Sequence, residues 1–283
     1  GARVTVLLTW NIQYGKGCDG RIDLDRIAAT ARLCEPVDVL CLQEVAINYA
    51  EMGGGETVDQ AADLAARFPG YAPVFAAAVD RLAPDGRRRR FGNMILSRLP
   101  VLDVAVHPLP RPAAAGTLHM PRSALACLID APGGPLRVVT THLEFHSEPQ
   151  RLAQVERLRT IHAEAAANDR TPPAPGPGAY AALPSARGTI LCGDFNFEPD
   201  APEHALLGQP YDDGTLRLQD AWLALHGAPH ADTVGVHGAD WPDEPYCCDF
   251  VFVTEDLVPR VRAVAVNQRT AASDHQPVAI ELA

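Results

Sequence analysis

The sequence predicts an α/β fold with a sheet-rich core, and three observations carry that prediction. Short apolar runs of strand length recur along the whole chain, from Val4-Thr5-Val6-Leu7-Leu8 near one end to Pro277–Leu282 at the other. Only a few stretches space their apolar residues as a helix would. The strand pattern also resumes directly after each irregular stretch, so the 283 residues read as one domain over 1–283 rather than two.

Val4 to Trp10 reads as the first strand. Ile22 to Cys34 reads as a helix, because Leu24, Ile27, Ala28 and Ala31 share one face and Pro36 ends it. Val37 to Val45 is a second strand. Thr57 to Phe68 is a second helix, with Thr57 as N-cap and Gly70 just past its end. Five strands follow, over Ala72–Val79, Met94–Ser97, Asp103–Pro108, Ser123–Asp130 and Leu136–His142. The capping-box pattern Ser147-Glu148-Pro149-Gln150 opens a long helix over Glu148–Ala167. The stretch Arg170 to Arg187, rich in Pro, Gly and Ala, is a surface excursion. A strand over Thr189–Cys192 and short helices at Glu203–Leu207 and Gln219–His226 come next. Strands at Asp249–Thr254, Val261–Val266 and Pro277–Leu282 close the chain.

Composition narrows the function classes. A formal net charge of -11 argues against a protein that coats nucleic acid non-specifically, and says nothing against a site for cations. The seven cysteines show no metal-type spacing, and Cys34, Cys41, Cys127 and Cys192 sit in apolar runs, as small buried hydrophobes do. A reduced, cytoplasmic setting is therefore expected. No run reaches membrane-spanning length.

The ends of the strands carry the chemistry. Asn11 follows the first strand and Glu44 closes the second; Asn93 precedes Met94–Ser97, and His142 ends the run Leu136–His142. Asp194 and Asn196 follow Ile190-Leu191-Cys192. Asp249 opens Asp249–Thr254, and Asp274-His275 precedes the last strand. One Asp or Asn after a strand is usually a turn former. Seven strands, each with a carboxylate, amide or imidazole at one end, call for a common destination, because charges are costly to desolvate separately. Carboxylates that converge repel unless a cation lies between them. The oxygen-rich set suits Mg²⁺ or Mn²⁺, and the absence of His-x-His or Cys-x-x-Cys spacing disfavours zinc. Carboxylates, amides and two histidines without a nucleophile elbow or a phosphate-binding loop fit metal-assisted hydrolysis of a phosphate ester.

The series TWNIQYG, LQE, GNMILSR, TTHL, GDFN, CDFVFV and SDHQPV, in that order from Thr9 to Val278, resembles the endonuclease/exonuclease/phosphatase superfamily of exonuclease III-like and DNase I-like proteins. The resemblance implies a four-layer α/β/β/α sandwich of two packed, mainly antiparallel or mixed sheets, with a site at one edge. It implies Glu44 as the main Mg²⁺ ligand, helped by Asn11 and Asp274, and Asp194 as the group that prepares water. Asn196 would hold the phosphate or the water, and Asn93 would line the phosphate pocket. His142 and His275 would stabilise the transition state or protonate the leaving oxygen, with Asp249 fixing the His275 tautomer. Nucleases of this kind that act at abasic sites often carry an acid two positions after the Trp-Asn asparagine. Here that position is Gln13, which weakens abasic-site repair as the role.

The substrate stays open between a small or lipid-derived phosphoester and nucleic acid, acted on by a monomer. A family relative that binds without catalysis fits less well, since each expected position holds a competent residue. Arg87-Arg88-Arg89-Arg90 reads either as a solvated loop or as a loop overhanging the site, and Arg122 is a second candidate for phosphate contact. Trp241 and Tyr246 read as a wall for the leaving group or as packing residues.

Overall fold

The computed structural model describes residues 3–34, 36–52, 57–238 and 241–283. The chain runs β1 (Thr5–Asn11), α1 (Leu24–Arg32), β2 (Val39–Ile47), α2 (Gln60–Arg67), β3 (Ala72–Leu82), β4 (Arg88–Ser97), β5 (Val101–Pro108), β6 (Ser123–Ala131) and β7 (Gly134–His142). It continues through α3 (Glu148–Arg170), β8 (Thr189–Asp194), α4 (Pro202–Leu207), β9 (Leu218–Asp220), α5 (Ala221–His226), β10 (Asp249–Thr254), β11 (Val261–Val266) and β12 (Val278–Leu282). Two six-stranded sheets result, ordered β11-β12-β1-β2-β4-β3 and β5-β6-β7-β8-β10-β9. Each is mixed: β1 and β2 run parallel in the first, β7 and β8 in the second, and the other neighbours are antiparallel.

The sheets pack face to face through Leu7, Val39, Cys41 and Ile95 on one side and Leu125, Cys127, Val138 and Val251 on the other. Period two along β1 sends Val6, Leu8 and Trp10 to the opposite face, where Ile27 of α1 and Leu64 of α2 cover them. Leu158 and Ile161 of α3, with Leu207 of α4, cover the outer face of the second sheet against Val139, Leu191 and Phe252. The layers are therefore helix, sheet, sheet, helix. Both faces of the central strands are buried, which is why those strands read as nearly unbroken apolar runs.

Local chemistry sets the helix ends. Asp23 caps α1 by accepting from the Arg26 amide at 3.1 Å. Ser147 caps α3 by accepting from Gln150 at 3.3 Å, as its sequence pattern predicts. The predicted cap at Thr57 is displaced: Asp59 accepts from the Ala62 amide at 2.9 Å, and α2 starts after it. The predicted helix from Gln219 splits, because Leu218–Asp220 pairs with β10 as a short edge strand before Asp220 caps α5. All seven cysteines are free thiols. Among the described residues no helix is long and apolar enough to cross a membrane.

Three of the four arginines in the run lie in a strand and not in a loop. Arg88, Arg89 and Arg90 belong to β4, opposite Leu82, Arg81 and Asp80 of β3. Arg88 Nε lies 2.7 Å and Arg90 Nε 3.8 Å from the Asp80 carboxylate, and Arg89 meets Glu51 at 3.6 Å. Asp80 on the same hairpin pairs with Arg88 and Arg90, whereas the alternation of the strand puts Arg89 on the face of Phe91, two residues on, which lines the cavity described below.

Candidate active site

Register places the polar strand ends in rows. Asp194 lies opposite His142 on parallel β7 and opposite Asp249 on antiparallel β10. In the other sheet Asn11 lies opposite Gln43. A bulge then intervenes, with Gln43 and Glu44 of β2 both facing Asn93 of β4, and Glu44 takes a left-handed backbone (φ 59). A bulge re-aims a side chain relative to its strand, and here it turns Glu44 toward a cavity. That cavity, of about 440 Å³, is lined by Asn11, Glu44, Arg122, His142, Asp194, Asn196, Asp274 and His275, drawn from the edges of both sheets.

Asp194 is the hub. Its Oδ2 accepts from Asn11 Nδ2 at 2.9 Å and lies 3.2 Å from His142 Nε2 and 3.4 Å from His275 Nε2. Its Oδ1 accepts from the Asn196 amide at 3.1 Å, closing a tight Asx turn. Asn196 therefore sits in a left-handed conformation (φ 51) and not on an extended segment beside Asp194. Its Nδ2 donates to the Leu143 carbonyl at 2.8 Å. Burial alone would raise the Asp194 pKa, but His275 and His142 outweigh it and hold the carboxyl below the usual range.

Asp249 stands behind His275 and accepts from its Nδ1 at 2.8 Å. Thr233 Oγ1 donates to the same oxygen at 2.6 Å. Burial would lower the His275 pKa, yet Asp249 and Asp194 on either side raise it well above the ordinary value. Ser273 Oγ donates to the Asn11 carbonyl at 2.6 Å and accepts from the His275 amide at 3.2 Å, tying the loop before β12 to the end of β1.

Glu44 keeps part of its surface on the cavity, and burial first, then Asp274, raises its pKa, against His142 and His275. Two carboxylates thus share the floor at a cost that a cation would remove. Asn11 Oδ1 accepts from the Gln13 amide at 3.0 Å, which fixes the side chain while its Nδ2 reaches Asp194. Among the described residues, Asp194, Cys248 and His275, and separately His204, Asp220 and His230, each cluster closely enough to hold a metal ion.

Of the predicted site residues, Asn93 and Asp249 do not line this cavity. Asn93 lies in a crevice off the same floor, shared with Glu44, Arg122 and His142, and donates to the Ser123 carbonyl at 3.2 Å. Trp241 lines the cavity, whereas Tyr246 faces a neighbouring acidic depression. Glu144 is the site residue that sequence reasoning missed. It is fully buried, lines the cavity and accepts from Arg122 Nε at 3.2 Å, and Arg122 is one factor that lowers its pKa despite burial. The available signal was a carboxylate two residues beyond His142, near the end of a strand neighbouring the one that Arg122 precedes.

The sequence profile of the Endonuclease/Exonuclease/phosphatase family matches residues 8–275. No curated protein matches. Among solved structures, an endonuclease/exonuclease/phosphatase from Beutenbergia cavernae is similar at 26% identity with a TM-score of 0.72, covering 99% of this chain and 71% of that one. A mannosyl-6-phosphatase of Bacteroides thetaiotaomicron is similar at 16% identity and TM-score 0.66, over 99% of both chains. The D. rerio TDP2 complex with single strand DNA product is similar at 18% identity and TM-score 0.67, also over 99% of both. The two mixed sheets, their helical covers and a profile match reaching from β1 to His275 agree: this chain belongs to the endonuclease/exonuclease/phosphatase family of phosphoester hydrolases.

Proposed function

We propose that the protein is a divalent-cation-dependent phosphodiesterase or phosphatase that uses an Asp194-activated water. The observation that carries the proposal is Asp194 Oδ2, which faces Asn11, His142 and His275 together on the cavity floor. Such a carboxylate, ionised and fixed by donors on several sides, is placed to orient a water and take its proton as the new bond to phosphorus forms.

Glu44 and Asp274, with Asn11 beside them, would hold Mg²⁺, and Mn²⁺ has the same oxygen preference. A bound cation would offset charge on the phosphoryl oxygens and make the water more acidic. The protein's own groups supply the rest. Asp249 fixes His275 with its Nε2 turned toward the cavity, so a charged imidazolium faces the oxygens that gain charge. His142 stands on the other side of Asp194, positioned to stabilise the same charge or protonate the departing oxygen. Asn196 and Arg122 offer amide and guanidinium donors to the phosphate, and Asn93 shapes the adjoining crevice.

Nuclease activity with the same groups is the second reading, favoured by the likeness to a structure that holds a single-stranded DNA product. Purified protein with Mg²⁺ or Mn²⁺ should hydrolyse bis-p-nitrophenyl phosphate, and Asp194→Ala should lower kcat by at least about 100-fold. Plasmid nicking that exceeds small-ester turnover, and that disappears in the same variant, would move the assignment to the nuclease. A folded wild-type protein inert toward both substrates would overturn the hydrolase reading.

A further inference from the structure

The polar floor makes up only part of the cavity. Its remaining wall holds Met52, Phe91, Leu118, Met120, Phe145 and Trp241, with His119 and His146 beside Leu118 and Phe145. Leu118 is 75% exposed and Phe145 49% exposed. Scattered apolar residues on a surface need no explanation, but several around one concave site mark a surface that is dry when occupied. Trp241 places its ring edge-on to His275, with centroids 6.3 Å apart, so the apolar wall begins directly beside the imidazole. Phe145 meets the adjacent His146 ring edge-on with centroids 4.8 Å apart, and both line the cavity.

Arg122 stands at the boundary between floor and wall. It is 7% exposed, its Nε is bound to Glu144, and its Nη1 is buried with no hydrogen-bond partner. The guanidinium keeps its positive charge beside the floor, while burial of the open nitrogen costs free energy. The wall is therefore mostly apolar, with Arg122, His119 and His146 as its polar members.

We infer that the group esterified to the substrate phosphate is apolar: the phosphate rests beside Asn11, His142 and His275, with the Arg122 guanidinium at its edge, and an alkyl or aryl group covers Leu118, Phe145 and Trp241. A sugar or polyol ester would set most of its hydroxyls against Leu118, Phe145 and Met52, which offer them no hydrogen bonds, and would leave His119 and His146 as side-chain partners on that wall. The inference rests on the hydrolase reading for its meaning, and its test is one of binding, so the two fail separately.

Titration calorimetry of the Mg²⁺-loaded protein with methyl-, butyl- and hexylphosphonate and with 2,3-dihydroxypropylphosphonate makes the comparison, since these non-hydrolysable probes share one headgroup. Affinity should rise roughly three- to fourfold for each methylene that the wall covers. Butylphosphonate should bind at least about 10-fold more tightly than the dihydroxypropyl probe. Leu118→Ser and Phe145→Ser change exposed side chains, so the fold should survive, and each should flatten the rise along the alkyl series. Equal affinity for all four probes, preference for the dihydroxypropyl probe, or an unchanged alkyl rise in both variants would each overturn the inference. If the alkyl rise appears but bis-p-nitrophenyl phosphate is not hydrolysed, the apolar subsite stands and the hydrolase reading falls.

Discussion

Gly193 shows how one residue ties packing to the site. Its backbone lies at φ 143, where side chains are rarely tolerated, and a Cβ added there would fall 1.9 Å from the Thr141 carbonyl oxygen on β7. Parallel β7 and β8 approach this closely just before both deliver polar groups, His142 from one and Asp194 from the other. Gly193→Ala should therefore cost more than about 2 kcal/mol in urea unfolding, through backbone strain plus the clash. Activity per folded molecule should fall as well, because relief of the clash moves Asp194. A variant of unchanged stability would show that the strands do not meet so tightly. The glycine and the Asp-x-Asn pattern after an apolar run were legible in the sequence. The Asx turn that folds Asn196 back onto the Leu143 carbonyl was not, because alternation along a strand says nothing of where the strand stops.

At the scale of elements, hairpin β3–β4 shows where a local reading of charge fails. Four consecutive arginines look like a mobile basic loop, yet strand pairing fixes three of them and Asp80 on the facing strand neutralises two. Arg88→Gln and Arg90→Gln together should leave KM for a small phosphodiester within about twofold, and stability within about 1 kcal/mol, as for other exposed ion pairs. A KM raised tenfold would restore the substrate-gripping role. Helix α3 and most strands were legible, since capping residues and apolar periodicity are local signals. Strand β9 was not, because three residues carry no period and its partner β10 is distant in sequence. Its last residue, Asp220, accepts from His204 at 2.8 Å and His230 at 2.6 Å while capping α5. Burial alone would raise the Asp220 pKa, and the two histidines lower it overall. The folded value thus lies below that of an unfolded aspartate, about 3.9. This stabilisation is complete above that pH and is lost as the pH falls through the folded value. Asp220→Asn should cost about 1.5–3 kcal/mol at pH 7, and its melting temperature should converge with the wild type's in acid. A gap that stays constant from pH 7 to pH 3 would place the effect in packing instead.

At the scale of the whole molecule, the site exists only where the two sheets meet. One sheet supplies Asn11 and Glu44, the other His142, Asp194 and Asp249, and the loop before β12 adds Asp274 and His275. The sequence shows these residues as separate strand ends, and the family pattern orders them. The Arg122–Glu144 pair and the apolar rim emerge only once the strands are aligned. Charge acts at this same scale. The chain carries a formal net charge of -11, Arg88 and Arg90 are paired with Asp80, and the cavity's buried guanidinium is paired with Glu144. Duplex binding draws its non-specific affinity from cations that displace condensed counterions, so its salt dependence counts the phosphates neutralised. Among the described residues Arg122 is the one arginine or lysine lining the cavity, so the dependence of log K on log salt should have a slope shallower than about -2. Non-specific affinity should be no tighter than about 10⁻⁴ M near physiological salt. Fluorescence anisotropy of a labelled 20-base-pair duplex with Asp194→Ala protein, in Ca²⁺ to limit cleavage, measures both. A slope near -6 with micromolar affinity would mean that a basic track forms on binding, and would make nucleic acid the better substrate. A shallow slope, with alkyl phosphonates held more tightly than DNA, would leave the small apolar phosphoester as the ligand that both charge and shape select.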